Sequence, residues 1–192
     1  DKLAGLIFSI AGTLLAIPVV FLFYNYFYYL MSKKVNETLA NSTIYEINSW
    51  MLLMIKVLRK ILRVRDPFEW DSINRMLNTT QASIQRSLVI VKSDVPDLKV
   101  CKNEMDDLLY NTAQLSVLSP VQIQIMAALN KEISHLINER EYRGDKKKMA
   151  KYVYKIMDLM DDWFDHCEKK ALLENEHYKL AVEQGDSAID IK

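Results

Sequence analysis

The chain has 192 residues, half of them hydrophobic, with 25 basic and 25 acidic side chains and a formal net charge of zero. This length suits one or two compact units, and the zero charge argues against a protein that binds duplex nucleic acid through bulk electrostatics. Four Gly, four Pro and two Cys exclude collagen-like, low-complexity and disulfide-rich classes.

The neutral total hides an uneven distribution of charge along the chain. Residues 33–65 hold seven basic and two acidic side chains, a net charge of +5, whereas residues 149–192 hold six basic and ten acidic ones, a net charge of −4. A basic block next to an apolar block is typical of a chain that meets an anionic surface, such as a membrane, or an acidic partner.

Residues 1–32 are predicted to form a transmembrane anchor. The stretch 3–32 carries no charged side chain and is longer than the roughly 20 residues that cross a bilayer as a helix. Because the basic block follows it, the positive-inside rule predicts a single-pass protein with a cytoplasmic C-terminal domain, at the inner membrane if the source is bacterial. Glycosylation-type triplets at Asn36, Asn41 and Asn78 favour the opposite orientation.

Four small residues in the predicted anchor are spaced 4, 3 and 4 apart, which places them on one helix face. Small residues allow two helices to approach closely in lipid, so this stripe is predicted to pack against another copy of the chain or against another membrane subunit. Ordinary small-residue content of a membrane helix is the alternative. The residues are Gly5, Ser9, Gly12 and Ala16.

Residues 33–65 are predicted to form a basic amphipathic juxtamembrane segment. A helix of this kind can lie on anionic lipid, and the alternatives are a core helix with one solvated basic face or a short second span. The side chains expected at the membrane surface are Lys33, Lys34, Lys56, Arg59, Lys60, Arg63 and Arg65.

Residues 66–185 are predicted to form an antiparallel helical bundle, and 186–192 a loose tail. The fold is therefore predicted to be all-α. Asp66-Pro67 and Ser119-Pro120 read as helix starts, Pro96 as an interruption, and Gly144-Asp145 as a helix end followed by the cap of a long last helix reaching about Gln184. Apolar residues recur at 3,4 spacing, as in coiled-coil packing that can also form oligomers; examples are Leu98, Cys101, Met105, Met126, Leu129, Ile133 and Leu136.

No pattern predicts a catalytic residue, a metal site or a cofactor. Asp161-Asp162-Trp-Phe-Asp165 resembles the magnesium motif of isoprenoid synthases, but these carboxylates fall opposite the predicted apolar face. Glu132-x-x-His135 and Glu174-x-x-His177 match the element of di-iron bundles, yet their helices are consecutive, which is the wrong order for that family. Cys167 and the adjacent His166 would point about 100° apart on a helix, so they do not form a catalytic pair.

One polar cluster is a candidate ligand site. Six cations and a tyrosine gather at the turn between the last two long helices, where a helix N-terminus also favours anions. This composition suits a nucleotide or another phosphate-bearing ligand, and a solvated hairpin tip is the alternative. The residues are Arg140, Tyr142, Arg143, Lys146, Lys147, Lys148 and Lys151.

Two functions are therefore expected. The first is a non-enzymatic, membrane-anchored helical protein that self-associates or docks on a membrane partner and presents a cytoplasmic interaction domain. The second is a ligand-gated oligomer that senses an anionic signal such as a nucleotide and perturbs the membrane in the manner of bacterial antiviral effectors, an analogy of architecture alone. A metal-dependent enzyme is the third and weakest alternative.

Overall fold

The computed structural model describes the backbone of residues 2–166 and 175–184, together with nearly all of their side chains from Ala16 onward. Every regular element within these ranges is helical, which confirms the all-α prediction and agrees with a helical bundle. The elements are α1 (Lys2–Leu62), α2 (Trp70–Leu77), α3 (Gln81–Ser87), a short 3₁₀ helix (Lys92–Asp94), α4 (Val95–Tyr110), α5 (Thr112–Leu115), α6 (Pro120–Tyr142), α7 (Lys146–His166) and α8 (Glu176–Gln184).

The chain divides into two units, residues 1–41 and residues 42–192. Helix α1 contributes to both, because it runs without interruption from Lys2 to Leu62. The described residues of the first unit all belong to α1, whereas the second unit contains the remaining part of α1 and the later helices that the structure describes.

The prediction of a single-pass membrane protein with a cytoplasmic domain is wrong. Across the residues that the structure describes, none of the helices is both long enough and apolar enough to span a bilayer. In the described part of the apolar run, residues 24–29 carry four tyrosine hydroxyls and the Asn25 amide, which lower its hydropathy. Gly5, Ser9 and Gly12 have helical backbone but undescribed side chains, and Ala16 is exposed.

The second half of α1 is a core helix. Its apolar side chains from Ile47 to Leu62 are mostly buried, because they recur at helical spacing toward the later helices. Even Arg59 is only 2% exposed, so its guanidinium lies inside the protein and does not face a lipid surface. For residues 47–62 of the predicted basic amphipathic segment, the alternative of a core helix describes the arrangement in the structure.

The core of the second unit joins α1 to α4, α6 and α7. The predicted apolar stripes are buried: Leu98, Cys101 and Met105 on α4, and Met126 and Leu129 on α6 are fully enclosed. Helix α7 packs against α2, α3 and α6, and α6 also packs against α4. One continuous apolar cluster therefore holds the unit together.

Two predicted helix boundaries are correct in detail. Ser119 accepts a hydrogen bond from the Gln122 amide at 3.3 Å and donates its own amide to the Gln122 side chain at 2.9 Å, forming a capping box. At the far end of α6, Gly144 has φ 71°, the left-handed conformation that ends helices, and Asp145 caps α7 through the amides of Lys147 and Lys148.

Other predicted boundaries differ from the structure. Helix α2 begins at Trp70, because Pro67 and its neighbours form an irregular approach to it. Pro96 does not interrupt a helix: it occupies the first turn of α4, where its missing amide is harmless, and the preceding helix α3 already ends at Ser87. The predicted helix to Gln184 is not continuous, since α7 is described to His166 and Asn175 is non-helical.

Candidate functional site

A groove with a volume of about 750 Å³ lies in the second unit. Helix α1 forms one wall, and α4 with the short α5 forms the other. This volume lies within the usual range for ligand pockets, roughly 300–1,000 Å³. The lining residues are Tyr45, Glu46, Ser49, Trp50, Leu52, Leu53, Lys56, Glu104, Asp107, Leu108, Asn111 and Gln114.

Two hydrogen bonds fix the walls of this groove. The indole N–H of Trp50 donates to the carbonyl oxygen of Cys101 at 2.8 Å, a buried contact that ties α1 to α4. At the rim, the Gln114 amide donates to the Glu46 carboxylate, which ties α5 to α1. The groove is therefore a preformed feature of the helix packing, with an apolar floor and a polar rim.

The charges around the groove are predominantly acidic. Glu46, Glu104 and Asp107 contribute three carboxylates, and Lys56 contributes one ammonium group. Burial, followed by the negative charge of Asp107, raises the pKa of Glu104 above its ordinary value. A cation brought into the groove would lower the pKa of Glu104 again, because a nearby positive charge favours the ionised carboxylate.

The thiol of Cys101 lies behind the groove and has no features of a nucleophile. Its side chain is fully buried, and burial, with smaller contributions from Glu104 and Asp97, raises its pKa to about 12. A thiol in this environment stays protonated at neutral pH and is unreactive. It acts as a small apolar core residue.

In the structure, Arg140 is separated from the other residues of the cationic turn that was predicted as a ligand site. Tyr142 is 80% exposed, and Arg143, Lys146, Lys147, Lys148 and Lys151 are exposed with it at the junction of α6 and α7. The amides at the start of α7 are occupied by the Asp145 carboxylate, at 2.9 Å for Lys147 and 3.3 Å for Lys148. An anion would therefore compete with Asp145 for the helix N-terminus.

Arg140 lies apart from the rest of the turn. It lines a second cavity of about 400 Å³ between the start of α4 and the end of α6, together with Lys92 and Lys99. Lys99 pairs with Glu141 at 2.6 Å, and the buried Nε of Arg140 has no hydrogen-bond partner among the described residues. The structure thus brings Arg140 to two lysines that the sequence analysis did not select.

The residues predicted at a membrane surface occupy several environments. Lys33 pairs with Glu37 at 3.9 Å, and the backbone oxygen of Lys34 accepts from the Thr38 hydroxyl. Lys60 binds Asp97 at 2.9 Å and Asp94 at 3.2 Å, and these partners raise its pKa. Arg63 and Arg65 are exposed, and Lys56 lines the groove. Arg59 is buried, with its guanidinium carbon 5.3 Å from the centroid of the Phe68 ring. The guanidinium also donates a hydrogen bond to the Ser72 hydroxyl.

The metal-like motifs form other contacts. Glu132 accepts from Lys155 at 3.0 Å, and the His135 ring contacts the Tyr152 ring in a tilted arrangement, with centroids 5.4 Å apart. Asp162 and Asp165 are exposed and Asp161 is half-buried, while Glu174 and the side chains of Cys167 and His177 lie outside the described residues. Within the part of the chain that the structure describes, His, Cys, Asp and Glu form no group of three that could hold a metal ion.

The first unit exposes an apolar segment, defined here as residues 16–32. Four consecutive side chains, Val20, Phe21, Leu22 and Phe23, are 61–69% exposed. Consecutive helical residues are rotated by about 100°, so these four point to all sides of the helix. The segment contains no charged side chain.

The groove could not be predicted from the sequence, because its walls come from distant parts of the chain. A local signal did exist on α4, where Glu104 and Asp107 are three residues apart and therefore share a face. Nothing local indicated that Tyr45 and Trp50 of α1 would lie opposite them.

The chain matches no protein-family model, no curated protein and no solved structure.

Proposed function

We propose that this chain is a non-enzymatic helical protein that self-associates through the apolar segment and presents the second unit for specific contacts. The observation that carries the proposal is the exposure of large apolar side chains on every side of α1 between residues 17 and 31. A helix that is hydrophobic all round is normally covered, because apolar surface of this extent is unfavourable in water.

Another copy of the chain fits this segment better than a partner with a single flat face. Because the apolar side chains surround the helix, an assembly with neighbours on more than one side covers more of them. The segment is uncharged, so bringing copies together places no like charges in contact. Tyrosine hydroxyls and the Asn25 amide can form hydrogen bonds between helices, and most oligomers consist of identical chains.

Sedimentation velocity of the full chain tests this proposal. Replacing two exposed apolar residues, Val20→Ser with Phe27→Ser, should weaken association at least about tenfold, since each removes apolar area from the interface. The control, Val121→Ser with Tyr110→Ser, changes exposed apolar residues in the second unit and should leave the mass unchanged. A monomeric parent chain, or one that binds lipid vesicles without self-associating, would refute the proposal.

Recognition of a phosphate-bearing ligand is a second candidate function. It is favoured by the cavity lined by Arg140, Lys92 and Lys99, with Glu141 as its carboxylate, because the buried Arg140 Nε is a hydrogen-bond donor without a partner among the described residues. Buried donors are normally satisfied, and a guanidinium flanked by ammonium groups suits phosphate oxygens.

Calorimetric titration with ATP and with pyrophosphate tests this second candidate. Arg140→Ala should abolish binding, whereas Arg143→Ala, which changes the exposed turn outside the cavity, should preserve it. Binding that depends on Arg143 and not on Arg140 would instead assign the site to the turn. Absence of heat with both ligands would count against recognition of phosphate-bearing nucleotides by this cavity.

A further inference from the structure

The acidic groove and the cationic turn are complementary surfaces of the same unit. The groove combines the aromatic side chains Tyr45 and Trp50 with three carboxylates and one lysine. The turn presents Tyr142, 80% exposed, followed by the exposed cations Arg143, Lys146, Lys147 and Lys148. An exposed tyrosine is an efficient interface anchor, since it adds apolar area and a hydroxyl at little entropic cost.

The turn cannot enter the groove of its own molecule. The ion pair Lys99–Glu141, at 2.6 Å, holds the end of α6 beside the N-terminal part of α4. The groove uses the C-terminal part of α4, where Asp107 lies about 12 Å further along the helix from Lys99 at 1.5 Å per residue. Both ends of α6 are fixed by the core, so the two surfaces remain apart within one copy.

We propose that the cationic turn of one copy docks in the acidic groove of a second copy, with Tyr142 over the apolar floor and Arg143 and Lys147 facing Glu104 and Asp107. The occupant is another copy because the required chemistry, an exposed aromatic side chain within a group of cations, is present on the chain itself. Charge complementarity sets the orientation and accelerates the encounter.

The contact is head-to-tail, because the turn and the groove are different surfaces. A repeated contact of this kind closes into a ring or continues as a filament, depending on the rotation between copies. The inference rests on the proposed self-association in taking a second copy as the partner, but it uses residues outside the apolar segment. The two contacts can therefore be tested separately.

The experiment uses the full chain carrying Val20→Ser and Phe27→Ser, so that association through the apolar segment is weakened. In this background we compare a groove variant, Glu104→Lys with Asp107→Lys, and a turn variant, Arg143→Glu with Lys147→Glu. Each should reduce the association constant from sedimentation velocity at least about tenfold, because like charges then face each other. Combining all four charge changes in one chain, or mixing the two variants, should restore association.

The control reverses two exposed charges elsewhere, Lys131→Glu with Asp158→Lys, and should leave association unchanged. Tyr142→Ala provides a second test that does not threaten folding, since this side chain is mostly exposed; it should also weaken association. Association should fall as salt rises. Unchanged association in the turn and groove variants, or no recovery in the mixture, would overturn the inference even if the apolar segment proves to associate as proposed.

Discussion

Two buried tryptophans connect the helices of the second unit through their indole N–H groups. Trp50 donates to the Cys101 carbonyl, and Trp163 donates to the Asn48 side-chain oxygen at 3.0 Å. Asn48 is only 1% exposed, so its side-chain oxygen is shielded from water and is satisfied by this hydrogen bond. Buried polar groups that are paired in this way fix the relative register of helices, because any shift leaves a donor or acceptor unsatisfied.

Trp163→Phe should destabilise the protein by about 1–3 kcal/mol, because it leaves the Asn48 oxygen buried without its donor. Adding Asn48→Leu should recover part of this loss, since both polar partners are then absent. Urea unfolding of the two single variants and the double variant measures the coupling. Additive effects of the two changes would show that the bond contributes little.

The Cys101 thiol gives a pH dependence of stability whose sign follows from its raised pKa. The folded chain keeps this proton up to about pH 12, whereas the unfolded chain loses it above the ordinary value of 9.0. The folded state therefore binds more protons in this window, and the contribution to stability is complete below pH 9 and is lost as pH rises toward 12.

Cys101→Ala should remove this dependence. Between pH 8 and pH 10, the stability difference between the parent chain and the variant should shrink by about 1 kcal/mol. Denaturant unfolding at the two pH values measures it, and the other titrating groups cancel in the difference. A constant difference would mean that the thiol ionises normally in the folded protein.

At the scale of elements, the helix boundaries follow local chemistry where side chains cap the backbone. Ser119, Gly144 and Asp145 were predictable because each acts on amides or carbonyls within a few residues. The start of α2 was not, because Pro67 lies beside Phe68, whose ring packs into the core against Arg59 and Tyr178. A long-range contact thus outweighs the local preference for a helix start at this position.

Ser119→Ala should lower the stability of the protein by about 1 kcal/mol, because it removes the cap of α6. Helix α6 packs on both α4 and α7, so the loss should appear in the global unfolding transition. Thermal unfolding measures it. The control Ser116→Ala changes an exposed serine outside the capping box and should have a smaller effect.

At the scale of the whole molecule, α1 belongs to two units with different surroundings. Its residues from Ile47 to Leu62 lie in the core, whereas its residues 16–32 expose apolar side chains. Periodicity made the buried half ambiguous, since a basic amphipathic helix can lie on lipid or pack on protein. Only the positions of α4, α6 and α7 decided between them.

Hydrogen exchange should distinguish the two halves of α1. Amides of residues 47–62 should exchange as slowly as those of α6, because they open only with the core. Amides of residues 16–32 should be protected in the assembled chain and exchange much faster in the Val20→Ser, Phe27→Ser variant. Equal protection of residues 16–32 in both proteins would contradict self-association through this segment.

The sequence by itself determined the all-helical class, the apolar stripes of α4 and α6, and the helix ends formed by Ser119, Gly144 and Asp145. These features depend on local periodicity and capping, which neighbouring residues specify. The tertiary structure alone decided that Arg59 is buried, that Arg140 joins Lys92 and Lys99, and that Trp50 faces Glu104 across a groove. Such contacts join residues far apart in the chain, so they depend on how the helices pack together, which local sequence patterns do not encode.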